Sequence, residues 1–114
     1  MATISKQFLA GANGTGIKIV QTSTAGTLIH TAIAGATDID EIWIWACNTD
    51  TSALTLTLEW GSADVDDNIK MVIQPSETVL VVPGLILQNG LTVRGFCATA
   101  NKINCFGYAN RLDV

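Results

Sequence analysis

Between residues 16 and 110 the chain repeats one pattern: a short run rich in β-branched, leucine or aromatic residues, then a turn signal. The runs cover residues 16–22, 27–33, 39–48, 53–61, 68–74, 77–82, 91–98 and 103–110. Between them lie breakers such as Gly26, Gly35, Asp50, Pro75-Ser76, Pro83-Gly84, Asn89-Gly90 and Asn101. Short strands spaced by about 8–12 residues predict a sandwich or barrel. No segment carries an i, i+3, i+4, i+7 apolar stripe, so no helix is expected. The expected fold is all-β: an antiparallel two-sheet sandwich, jelly-roll-like, of about eight strands, with an extended N-terminal arm. The arm is residues 1–15, and the domain is residues 16–114.

Period-2 alternation gives the orientation of individual strands. Leu54, Leu56, Leu58 and Trp60 alternate with Thr55, Thr57 and Glu59, which predicts one face in the core and one in water. The run from Ile42 to Cys47 differs. Ile42, Ile44 and Ala46 form one face; Trp43, Trp45 and Cys47 form the other. Both faces are apolar, and a two-layer sandwich has a core on only one side of each strand. The second face needs a cover: a loop of the same chain, the N-terminal arm, or another subunit. Tryptophans carry a large burial payload and are frequent interface anchors. Trp43 and Trp45 are therefore candidate contact residues. Phe8 and Leu9 join them, as the apolar residues of an arm that docks on a neighbour or stays disordered. Gly95 and Gly107 each interrupt an apolar face and mark bulges or a close approach of another backbone.

Charge supports burial against other subunits. Charged residues make up 14% of the chain, against a typical value of about 25%. Such sparse charge suits a surface covered by other subunits. The net charge is −4, and Lys6, Lys18, Lys70, Arg94, Lys102 and Arg111 are scattered. Neutralising nucleic-acid phosphates or anionic lipid takes clustered basic residues, so neither partner is expected. No apolar run approaches the roughly 18 residues of a membrane span. Phe8-Leu9-Ala10 is too short for the apolar region of a signal peptide, so cytoplasmic synthesis is the expectation and the Asn13-Gly14-Thr15 sequon is idle.

No chemistry-bearing constellation emerges, and no enzyme activity or cofactor is expected. His30 has no motif that pairs it with a nucleophile and reads as a partly exposed strand residue. Cys47, Cys97 and Cys105 are an odd set without a C-x-x-C pair. They read as free, packed thiols rather than disulfides or a zinc site, with Cys97 facing Cys105 across the last hairpin. The acidic run from Asp64 to Asn68 has Ile69 where a calcium loop needs its glycine and Pro75 where it needs the closing glutamate, so it reads as a solvated turn. The Gly11–Lys18 stretch lacks the Gly-Lys-Ser/Thr step of a phosphate loop.

The order of segments resembles small virion proteins of tailed bacteriophages. The resemblance lies in Gly26-Thr-Leu-Ile-His-Thr-Ala-Ile-Ala-Gly35, then Asp40-Glu-Ile-Trp-Ile-Trp-Ala-Cys-Asn-Thr49, Leu54-Thr-Leu-Thr-Leu-Glu-Trp60 and Thr78-Val-Leu-Val-Val-Pro-Gly84. It closes with Leu91-Thr-Val-Arg-Gly-Phe96 and Ile103-Asn-Cys-Phe-Gly-Tyr-Ala-Asn-Arg-Leu112. It implies a β-sandwich of the capsid decoration, cement or head-fibre type. It implies a homo-oligomer, foremost a trimer, that contacts the major capsid protein. The expected place is the capsid surface of the virion, after assembly in the host cytoplasm. The alternative expectation is a fibre or tail-associated module that binds carbohydrate or a receptor through exposed tryptophans.

Overall fold

In a computed structural model the described residues are 2–114. Among them nine strands form two antiparallel sheets: β1 (Thr3–Phe8), β2 (Ile17–Lys18), β3 (Thr27–Thr31), β4 (Ile39–Asn48), β5 (Leu54–Trp60), β6 (Asn68–Ile73), β7 (Thr78–Leu87), β8 (Thr92–Phe96) and β9 (Ile103–Asp113). The first sheet runs β1-β9-β4-β7, with β2 also paired to β9; the second runs β3-β8-β5-β6. Strands β2 to β9 alone give the orders 2-9-4-7 and 3-8-5-6, the double Greek key of an eight-stranded jelly roll. The all-β sandwich expected from the alternating runs is the fold of this chain.

The arm adds a ninth strand to this body. β1 lies along the C-terminal half of β9, from Thr3 opposite Asp113 to Phe8 opposite Tyr108. β2 takes the N-terminal half of the same edge, with Ile17 opposite Cys105. Met1 lies outside the described residues.

β4 is an interior strand of the first sheet, between β9 and β7. Its buried residues alternate strictly: Asp40, Ile42, Ile44, Ala46 and Asn48 face inward. Leu56, Leu58 and Ile73 of the second sheet meet them, with Val82, Val93, Ile103 and Ile29, all fully buried. Asn48 closes one end of the sandwich. Its Nδ2 donates to the carbonyls of Ser52 and Ile73, both at 2.9 Å, and its Oδ1 accepts from the Asp50 amide at 2.8 Å.

Three details differ from the sequence reading. Pro83 and Gly84 do not end a strand, because β7 continues to Leu87. β7 is an edge strand whose register against β4 slips beside Trp43, a setting that tolerates a residue with no amide hydrogen. The outer side of β5 is not in water at Thr57 and Glu59, which are 5% and 3% exposed. The loop before β3 folds over Glu59, whose carboxylate accepts from the Thr24 hydroxyl and, at 2.6 Å, from the Gly26 amide. β8 and β9 belong to different sheets, so Cys97 and Cys105 do not face each other across a hairpin. All three cysteines are free, Cys97 and Cys105 in the core.

Gly107 marks a close approach of backbones. A Cβ there would lie 1.9 Å from the Trp43 carbonyl oxygen of the neighbouring strand. Backbone cannot swing aside as a side chain does. Gly107→Ala is therefore expected to destabilise the fold by about 2–4 kcal/mol in urea denaturation, the range of strain and overpacking effects.

Candidate functional site

Residues opposite each other in an antiparallel sheet project to the same face. The register of the first sheet therefore lays its outer face out in rows. One row is Phe8, Tyr108, Trp43 and Pro83; the next is Phe106, Trp45 and Leu80. These seven side chains are all apolar or aromatic. Trp43, Trp45 and Tyr108 have ring centroids 6.3 to 6.5 Å apart, with planes within 31° of one another. Trp43 stacks on both Trp45 and Tyr108, and Trp45 is tilted against Tyr108, so the three rings form one aromatic cluster. Trp43 lies against Gly84, where an added Cβ would come within 2.8 Å of its indole. The face stays open: Phe8 is 69% exposed, Phe106 42% and Leu80 38%. Of the four residues singled out from the sequence, Phe8, Trp43 and Trp45 share this face. Leu9 does not, because its side chain is buried in the chain's own core.

A polar row borders the aromatic cluster. Lys6, Asn110 and Glu41 stand side by side across β1, β9 and β4. Lys6 Nζ donates to Asn110 Oδ1 at 3.2 Å and sits 4.2 Å from the Tyr108 ring centroid, a cation–π contact. Glu41 Oε1 accepts from the Trp43 indole nitrogen at 2.8 Å and from Asn110 Nδ2 at 3.1 Å. Those two donors, with the Lys6 charge, hold the Glu41 carboxyl below its ordinary range. The row thereby fixes the orientation of Trp43. Beside it, Lys6, Phe8, Gly14, Gly107 and Tyr108 line a groove of about 320 Å³.

A second cluster, unseen in the sequence, is buried where the two sheets meet. Asp40 is 0% exposed. Arg111 grips its carboxylate with Nε at 2.8 Å and Nη2 at 2.9 Å. His30 Nε2 from the opposite sheet lies 2.8 Å from Oδ2, and the Ile33 amide donates to the same oxygen at 3.2 Å. An ionised carboxylate only accepts, so His30 Nε2 carries a hydrogen. His30 is 4% exposed, not the partly exposed residue expected from its threonine-rich strand. Its hydrogen bond to Asp40 is what permits that burial, since a buried polar group without a partner is costly. The cluster supplies no nucleophile. Phe8, Leu9 and Ala10 of the arm border a groove that His30 and Arg111 also line.

The remaining polar candidates are structural. Asp64 caps the single turn over Val65–Asp67 by accepting from the Asp66 amide, and Ser62 donates to Asp67 at 2.7 Å. Among the described residues no group of three or more His, Cys, Asp or Glu side chains is placed to share a metal ion. Burial pushes the Cys105 thiol up to about 12, far from a reactive thiolate. No helix is long and apolar enough to cross a membrane among the described residues. Compared with protein families, curated proteins and solved structures, the chain matches none.

The buried cluster has a measurable pH signature. Burial alone would raise the Asp40 pKa, but the hydrogen bonds and charges of Arg111 and His30 outweigh it and hold it below its ordinary value. A depressed carboxylate stabilises the fold above its unfolded pKa, about 3.9, and that contribution fades as pH falls through the lower folded value. Asp40→Asn is expected to cost about 3 kcal/mol at pH 7, as does breaking one side of a buried ion pair. The gap between the variant and the unmodified protein should narrow in urea titrations below about pH 4. An equal gap at pH 7 and at pH 3 would contradict this assignment.

Proposed function

We propose that this protein is a structural virion protein, a capsid decoration or cement protein of a tailed phage that stabilises the head through oligomeric contacts. The observation that carries the reading is the open pair of apolar rows on the outer face of the first sheet. A jelly roll needs only its inner faces apolar, so Trp43, Trp45, Phe106 and Leu80 are not explained by folding. They are explained by a covering partner. Large apolar side chains release about 1.5–3 kcal/mol each on full burial. The seven residues, already partly shielded, would release on the order of 10 kcal/mol across two partners, the size of the cost of association. The partners are further copies of the chain, foremost as a trimer, and the major capsid protein. The work is mechanical: covered faces bridge neighbouring subunits and resist internal pressure. No step of it needs a catalytic group or a cofactor.

A second reading, a fibre or tail-associated carbohydrate-binding module, has one observation in its favour. The aromatic cluster adjoins the Lys6-Asn110-Glu41 row, and sugars are bound by stacking combined with polar contacts.

Light scattering separates the readings. The chain at 10 µM, on the order of a typical stable oligomer's working range, is expected to run as an oligomer, and Trp45→Glu is expected to return a folded monomer. Antibody against the chain is expected to label the heads of purified virions. A monomeric protein that labels no particle would contradict the structural reading. Glycan binding lost in Trp43→Ala would favour the second.

A further inference from the structure

We propose that residues 3–10 are an exchangeable strand, which in the assembled oligomer docks on β9 of a neighbouring copy rather than on its own. This rests on the oligomeric reading above. It adds how the copies are linked.

Four observations point to it. The jelly roll is complete without β1, since β2 to β9 supply both four-stranded sheets. β1 itself is exposed at five of its six positions, with Ile4 at 71% and Phe8 at 69%. Its attachment is self-contained: the ladder to Tyr108–Asp113, the Lys6 contacts with Asn110 and Tyr108, the buried side chain of Leu9, and the Ala10 amide donating to the Ile29 carbonyl at 2.8 Å. Every one of these contacts would be reproduced if the strand came from another copy; the packing of Phe8 beside Gly14 of the connection is the one that opening gives up. This is the geometry of strand addition, with ladder bonds for affinity and one anchor for register.

The fourth observation is the connection. Residues 10–16 hold a tight turn that only small residues permit. A Cβ on Gly11 would lie 2.2 Å from the Thr15 carbonyl oxygen, and Asn13 has a left-handed φ of 56°. Extended, the six residues 11–16 that follow the docked Ala10 reach about 20 Å at 3.3 Å each. That is close to the shortest dimension of the molecule, 21 Å, so the opened connection reaches a copy packed along that dimension. Closure on the parent copy has the advantage of high effective concentration. Exchange wins only where copies are already held together, and the aromatic face provides that.

Cysteine trapping tests the proposal. Thr3 opposes Asp113 and Ile4 opposes Leu112. Adjacent pairs in an antiparallel ladder alternate between the hydrogen-bonded and the closer, non-hydrogen-bonded kind, so one of the two suits a disulfide. In a Cys47→Ser background, one preparation carries Ile4→Cys and a second Leu112→Cys. They are unfolded together, refolded, oxidised and run without reductant; Thr3→Cys with Asp113→Cys serves as the alternative pair. A covalent dimer containing one chain of each kind is expected. The double variant Ile4→Cys/Leu112→Cys is expected to give covalent chains longer than a dimer or closed rings. An oligomer by light scattering whose double variant cross-links only within single chains overturns the exchange and leaves the structural reading standing. A monomer that does so overturns both.

Discussion

β4 sets the terms for this molecule. A strand has two faces because successive side chains point opposite ways. In β4 both are apolar over three consecutive pairs of residues. Ile42, Ile44 and Ala46 meet the second sheet and make the core; the same pleat forces Trp43, Trp45 and Cys47 to the other side. No slip of register relieves this, since a shift by one residue only exchanges the two sets. β4 must therefore lie inside a sheet, flanked by β9 and β7, and its outer face must be broad and apolar. The neighbours extend that face with Tyr108, Phe106 and Leu80 rather than interrupt it.

Buried polar groups pin β4 at both ends. Asn48 joins it to the turns that lead into β5 and out of β6, and Asp40 joins it to Arg111 and His30. Buried ion pairs contribute little net stability when compared with well-packed apolar residues, but one partner left alone is strongly unfavourable. Asp40 accordingly acts as a lock on pairing. Only the observed register sets Arg111 opposite Asp40, and only the observed stacking of sheets brings His30 to the same carboxylate. A slipped β9 would leave a buried charge without a partner.

Much of this was legible in the chain. The bounds of β4 and the inward face of β5 follow from alternation alone, because burial on one side writes itself into every second residue. β1 left no such mark. As an edge strand with both sides largely in solvent, Thr3 to Phe8 has no apolar period to read. Glu59 sits on the polar phase of β5 and still is buried, because a loop distant in sequence covers it. The Asp40 cluster was missed although a signal existed. Asp40 has the same parity as Ile42, Ile44 and Ala46, so a core-facing β4 makes it a core-facing carboxylate that needs a cation. Which cation was not legible, since His30 and Arg111 are 10 and 71 residues away.

We infer that the aromatic outer face of the first sheet is a contact surface. Acrylamide quenching of tryptophan fluorescence tests it directly, in a Trp60→Phe variant that reports only Trp43 and Trp45. If the face is covered on assembly, quenching should be weak when the protein is concentrated and rise sharply on dilution to nanomolar levels, where typical subunits separate. Quenching that stays constant across that range, with the chain shown to change its association state, would place the contact elsewhere on the molecule.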